Sequence, residues 1–327
     1  MKKIFFLAFI FLTLFSTCKT DFEINAKWQD IMVVYGLLNQ NDTLHYIKIN
    51  KAFLGEGNAL TMAQDPDSSS YGNNLEVWVE EWKNSSQDNV WYLDTTTIYN
   101  KESGTFYAPK QVIYKFKATL DENAEYRLYV KNKLTGKIAS STTTLVHSFT
   151  ITKPTSMQTA NFHATNPIDV MWNSAYNGKR YQVIIRFNYW EKNILTGDSI
   201  QKYVDWDIGS YNSESIDGGE QMSTSYYGNS FFQYLKNKIG SAPNIVRHVA
   251  VPNVDFIFSV AANEFSTYMD VNAPTTGVLQ EKPEYTNIGN GIGLFSSRYT
   301  KDRPLAMHPT SLDSLINGVY TKNLNFQ

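Results

Sequence analysis

A single cysteine, Cys18, occurs in 327 residues, so no disulfide can staple this chain to itself. Cysteine cannot build a zinc site either. The five histidines, His45, His147, His163, His248 and His308, show no spacing that would put two on one helical face, and the HExxH arrangement is missing. The sequence also lacks a Gly-x-Ser-x-Gly elbow and a phosphate loop, and GNGIG at 289–293 does not have the spacing of a dinucleotide fingerprint. No cofactor and no metal site is therefore expected. Charge of one sign is scarce: 29 Lys and Arg are scattered among 31 Asp and Glu, for a net charge of −2. A nucleic-acid partner would call for a basic stripe, which this balance excludes. Beyond the first residues no apolar run nears the roughly 18 residues of a membrane-spanning helix, and no tandem period points to a solenoid or propeller.

What the chain does have begins with Lys2-Lys3 and the apolar run Ile4 to Phe15, interrupted only by Thr13. A helix over that run covers about 18 Å against about 30 Å of hydrocarbon, so residues 1–17 read as a signal peptide. Cys18 follows directly, where bacterial lipoprotein precursors are cut and acylated, and Phe15-Ser16-Thr17 resembles a lipobox with unusual first and last positions. At about 0.8 kcal/mol per buried methylene, two or three acyl chains would hold the protein stably. Lipidation at Cys18 and a tether over 18–30 are expected, against ordinary secretion with an incidental thiol. Lys19-Thr20-Asp21-Phe22-Glu23 resembles the acidic signal that sends Bacteroidota lipoproteins to the outer face of the outer membrane. The expected location is the outer membrane, lipid-anchored and facing the exterior.

From Ile31 onward period-two alternation dominates. LEVWVE sets Leu75, Val77 and Val79 opposite Glu76, Trp78 and Glu80, EYRLYVK sets Tyr126, Leu128 and Val130 opposite Arg127, Tyr129 and Lys131, and HYIKI gathers His45, Ile47 and Ile49. About seven short strands with turn clusters between them predict an immunoglobulin-like β-sandwich over 31–152. Lys153-Pro154-Thr155-Ser156 is the candidate boundary. A second β unit over 155–327 opens with a strand near Val170 to Trp172, a turn at Tyr176-Asn177-Gly178 and a strand in which Tyr181, Val183, Ile185 and Phe187 alternate, an order that resembles fibronectin type III. The fold class predicted is mainly β, two sandwiches with a few short helices in the second. One helix is expected in GNSFFQYLKNKIG, with Ser230 and Gln233 as a capping box, and another in NEFSTYMD.

Asp205-Trp206-Asp207 is the nearest approach to a catalytic pair. Acids at i and i+2 share a strand face, Trp206 could stack on a sugar, and Asp217 and Glu220 follow as potential calcium ligands. The competing reading is a strand edge entering a polar loop, since Gly, Ser, Asn and Tyr dominate 209–230. On that reading Asp205, Trp206, Asp207, Tyr211, Tyr226 and Tyr227 form a contact region for a ligand or partner, without covalent chemistry. The segment EYTNIGNGIGLFSSR at 284–298 reads as a tight turn plus a strand that closes the second sandwich, with a ligand loop as the alternative.

Four features together resemble a family of Bacteroidota surface lipoproteins encoded beside outer-membrane TonB-dependent receptors: Cys18 near the start, VVYGLLN at 33–39, Y-x-N-I-x-x-G-I-G-L-F at 285–295, and TSLDSLINGVYTKNLNF at 310–326. The resemblance carries over no catalytic residue. It implies the outer-membrane location and a TonB-dependent receptor as partner. The expected function is a non-catalytic binding or accessory subunit that captures a small nutrient, glycan or peptide. Two alternatives stay open: a surface glycan hydrolase using Asp205 and Asp207, and a structural or adhesive module.

Overall fold

A computed structural model describes residues 30–52, 58–163, 165–274 and 284–327. The signal segment, Cys18 and most of the expected tether lie outside the described residues. The described chain is mainly β. In order its strands are β1 (Met32–Leu38), β2 (Leu44–Lys51), β3 (Leu75–Lys83), β4 (Ser86–Tyr92), β5 (Asp94–Ile98), β6 (Gln111–Lys117), β7 (Glu125–Asn132), β8 (Ile138–Thr144), β9 (Ile151–Lys153), β10 (Ile168–Asn173), β11 (Arg180–Asn193), β12 (Ser199–Asn212), β13 (Gln221–Tyr226), β14 (Ile245–Ala261) and β15 (Gly291–Leu305). They form sheets ordered β12-β11-β14-β15-β1-β2-β6-β5, β13-β10-β9 and β4-β3-β7-β8.

Two hydrophobic cores follow from the alternation. Leu75, Val77 and Val79 of β3 and Tyr126, Leu128 and Val130 of β7 point into the first, opposite Ile47 and Ile49 of β2. Tyr126 is the largest of these, and its hydroxyl donates to Glu81 at 2.9 Å while accepting the Asp121 N–H at 2.8 Å. Burial and the neighbouring Glu81 carboxylate push this phenol far above its ordinary pKa, so it serves as a neutral donor. The second core gathers Trp172, Tyr181, Val183, Ile185, Phe187, Phe231, Phe256 and Phe258, and the helix Pro309–Asn317 adds Leu315.

β15 belongs to both cores, which corrects the expectation for 284–298. Residues 291–297 run parallel to β1, and residues 298–305 run antiparallel to β14. Ile288 and Phe295 therefore pack in the first core, not the second. The glycines permit the close parallel pairing: Gly293 has φ +119°, and a Cβ there would lie 2.0 Å from the Val34 carbonyl oxygen. Asn287 fixes the turn, donating to the Phe295 carbonyl at 2.6 Å and accepting the Phe295 N–H at 2.9 Å. Strands on both sides of Lys153-Pro154 thus enter one sheet.

The helices also depart from the sequence reading. Ala59–Ala63 and Pro66–Ser69 fall before Lys153, where none was expected. The helix Gly228–Lys238 starts two residues before Ser230, after Tyr227, without a side-chain cap. A tertiary contact replaces the capping box there, because the Gly228 N–H donates to the His163 carbonyl at 2.8 Å and a Cβ at 228 would meet the Phe162 carbonyl oxygen at 2.0 Å. The second helix spans Asn263–Asn272, with Phe265, Tyr268 and Met269 only half-buried against β15.

Candidate functional site

The chain between β9 and β10 is where a site takes shape. Ala160 is tied to the segment after β15 by two backbone bonds, its N–H donating to the Ala306 carbonyl and its carbonyl accepting the His308 N–H, both at 2.8 Å. Phe162 stacks on Phe231 with ring centroids 3.9 Å apart, and its N–H donates to the Ser311 hydroxyl at 2.8 Å. Held at these points, residues 153–163 and 165–169 line a hollow of about 670 Å³ whose other walls are Tyr226, Phe256 and His308.

Polar side chains line it, and two imidazoles among them have fixed orientations. His163 accepts the N–H groups of Thr165 and Asn166 on Nδ1, at 3.3 and 3.2 Å, which puts its own ring proton on Nε2. His308 caps the helix Pro309–Asn317 in the same manner, accepting the Thr310 N–H on Nδ1 at 3.3 Å. Each imidazole therefore keeps Nε2–H as a donor. Gln158, Asn161 and Asn166 add amides, while Lys153 and Asp169 lie 3.8 Å apart at the rim. Phe256 and Ile168 supply apolar wall. The Tyr226 hydroxyl donates to the Asn161 carbonyl at 2.8 Å, and burial pushes its phenol well above the ordinary value. The arrangement offers several hydrogen-bond donors and acceptors against an apolar side, which suits a small polar solute. Among the described residues no group of three or more His, Cys, Asp and Glu side chains could hold a metal ion.

The structure divides the residues singled out in the sequence. Tyr226 lines the hollow, and Trp206 packs behind it, edge-on with centroids 5.9 Å apart, and against Phe231. Trp206 is thereby committed to the second core and cannot stack on a sugar beside Asp205 and Asp207. Strand alternation is the reason: it sends the two acids to the outer face of β12 and the indole to the inner one. Outside, Arg186 holds both Asp205 oxygens at 2.7 and 2.8 Å, and Asp207 accepts from the Gln182 amide at 2.7 Å and the Gly209 N–H at 2.9 Å. Tyr211 donates to the Ile208 carbonyl at 2.8 Å, while Tyr227 is exposed beside the helix start. Glu220 accepts the Glu214 N–H at 2.8 Å, which turns its carboxylate to the backbone. The predicted loop over 209–230 is mostly β12, β13 and helix.

His163, His308, Asn161 and Asn166 were not singled out as a group in the sequence. The sequence does carry one sign, Pro309 directly after His308, a favoured first position of a helix.

No protein-family model matches the chain, and no characterised protein matches it in sequence. Among solved structures it is similar to the C-terminal globular domain of an oligosaccharyltransferase from Pyrococcus abyssi, at 10% identity and a TM-score of 0.26, over 68% of this chain and 47% of that one. The chain spans less than half of that protein's length, and a TM-score so low assigns neither fold nor activity.

Proposed function

We propose that the protein is a non-catalytic binding subunit, a lipoprotein anchored through Cys18 on the outer face of the outer membrane, which captures a small polar nutrient for a TonB-dependent receptor. The hollow of about 670 Å³ beside Tyr226 supports capture, because its two imidazoles are oriented by backbone N–H groups before any ligand arrives. In this reading the first core is an immunoglobulin-like sandwich and the second a fibronectin-like one, with β15 contributing to both. A glycan hydrolase built on Asp205 and Asp207 is disfavoured, since Arg186 occupies both oxygens of one acid and Trp206 faces away.

The test is ligand-induced stabilisation of the full chain against free amino acids, dipeptides and monosaccharides. One class raises the melting temperature, and the rise is lost in His308→Ala and in Asn166→Ala. No rise with any class, or a rise that both variants keep, sinks the capture reading. Copurification from outer membranes tests the receptor, and Cys18→Ala tests the anchor by releasing the chain from the membrane fraction.

A further inference from the structure

The atoms left open in the hollow beside Tyr226 decide what it can hold. Gln158 accepts the Thr155 N–H on Oε1 at 2.8 Å, and a backbone N–H only donates, so the amide NH2 is the end left over. Asn161 is oriented through two bonds. The Ser311 hydroxyl accepts the Phe162 N–H at 2.8 Å, so its own proton goes to Asn161 Oδ1 at 3.3 Å, and again the NH2 remains. His163 and His308 receive backbone N–H groups on Nδ1 and keep Nε2–H. In these four side chains the protein itself occupies the acceptor atoms, and no acceptor among the described residues takes the remaining protons. Three of the four are close by construction. Asn161 and His163 flank the buried Phe162, and Ala160 beside them accepts the His308 N–H.

The other polar lining residues are balanced or mixed. Asp169, the one carboxylate, lies at the rim 3.8 Å from Lys153, the one Lys or Arg, so the pair adds no net charge. Thr159, Asn166 and the Tyr226 oxygen keep acceptors, but fewer than a ring of sugar hydroxyls would use. A carboxylate brings acceptors alone, two oxygens with about four lone-pair sites, and that number matches the four open donors. Neutral donors stabilise one negative charge without a cation. A dianionic phosphate calls for a positive charge, and Lys153 already faces Asp169.

We propose that the hollow selects a ligand by a singly charged carboxylate, which takes its hydrogen bonds from Gln158, Asn161, His163 and His308. This rests on the capture reading and adds the ligand class, since an amino acid, a peptide end and a sugar acid all carry the group.

Calorimetric titration of the full chain with matched pairs tests it: alanine against alaninamide, alanyl-alanine against its carboxamide, and galacturonate against galactose. In at least one pair the acid binds about tenfold more tightly than its neutral counterpart, and the pair that responds identifies the source of the carboxylate. Gln158→Glu keeps an acceptor for the Thr155 N–H and replaces the NH2 by a charged oxygen. Gln158 is exposed, so the melting temperature of the unliganded variant stays at the wild-type value while affinity for the acid falls about tenfold. A neutral member that binds as tightly as its acid overturns the carboxylate and leaves capture standing, as does galactose 6-phosphate binding more tightly than every acid. Acid binding that Gln158→Glu leaves unchanged also overturns it. Binding by none of these ligands sinks capture and carboxylate together.

Discussion

The two cores meet along β15 but are closed by different means. Beside the first, residues 291–297 approach β1 so closely that backbone sterics govern, with Gly293 lying over the Val34 carbonyl. Beside the second, the long hairpin β11–β12 pairs with β14, and side chains fasten the last residues to that sheet. Arg247, 2% exposed, donates to Glu191 at 2.9 Å, to the Gly240 carbonyl at 3.0 Å and to the Leu324 carbonyl at 2.5 Å, fastening the chain end to the sheet. Where two strands nearly touch, the absence of a side chain is the specificity device. Where a coil segment must be held to a sheet, a buried cation with each guanidinium nitrogen engaged takes that part.

The comparison breaks most sharply at Gly293. Gly293→Val demands a β-branched residue at φ +119° with its Cβ in the Val34 carbonyl, and the expected loss is about 4 kcal/mol or more, seen as a collapse of the urea midpoint. A midpoint near wild type would mean that β15 does not pass so close to β1. On the other side, Arg247→Met leaves Glu191 with only Lys202 and strips two carbonyls of their donor, at an expected cost of about 3 kcal/mol by the same measurement.

These two sites also show how far the sequence could be read. β2, β3, β7 and the start of β11 are legible because one buried face imposes period two, and the residues named from alternation are those found buried. The parallel pairing of β1 with β15 is not legible, since it joins residues about 260 positions apart and no local pattern encodes the partner. Only the glycines at 289, 291 and 293 mark a close approach, without saying to what. Residues 209–212 and 221–226 misled because the Gly, Ser and Asn content around them suits loops, whereas pairing with β11 and β10 supplies the hydrogen bonds that make them strands. The hollow was hidden for the same reason, as His163 and His308 are brought together only by the bonds of Ala160 to the chain after β15.

Acidity separates the cores by a smaller amount. His45, buried in the first beside Phe116 with a ring nitrogen 3.1 Å from the Ala118 carbonyl oxygen, has its pKa lowered by desolvation. The unfolded chain takes up that proton near pH 6.5, so the stability His45 contributes is present above that value and is lost as pH falls toward the lower folded value. In the second core, burial works to raise the Glu191 carboxyl, but hydrogen bonds from Lys202 and Arg247 outweigh it and hold it below the ordinary range. Its contribution is lost only below about pH 4.5. Between pH 7.5 and 5.5 the first core alone therefore weakens through these groups. Urea midpoints at the two pH values should fall for the wild type and fall less for His45→Phe, and equal falls would remove His45 as the cause.

The finest contrast lies within β15, where Ser296 and Ser297 are both fully buried. Ser297 donates to the Thr144 carbonyl at 2.8 Å and accepts the Val146 N–H at 3.1 Å, tying β15 to the chain that leaves β8. The Ser296 hydroxyl has no hydrogen-bond partner among the described residues. Ser297→Ala strands a buried N–H and should cost about 1–2 kcal/mol, while Ser296→Ala removes an uncompensated hydroxyl and should be neutral or stabilising by up to about 1 kcal/mol. Adjacent residues of one type, equally buried, should then differ in sign or nearly so. If both changes cost the same, the hydrogen bonds of Ser297 do not set the junction of the two cores, and packing along β15 alone holds them together.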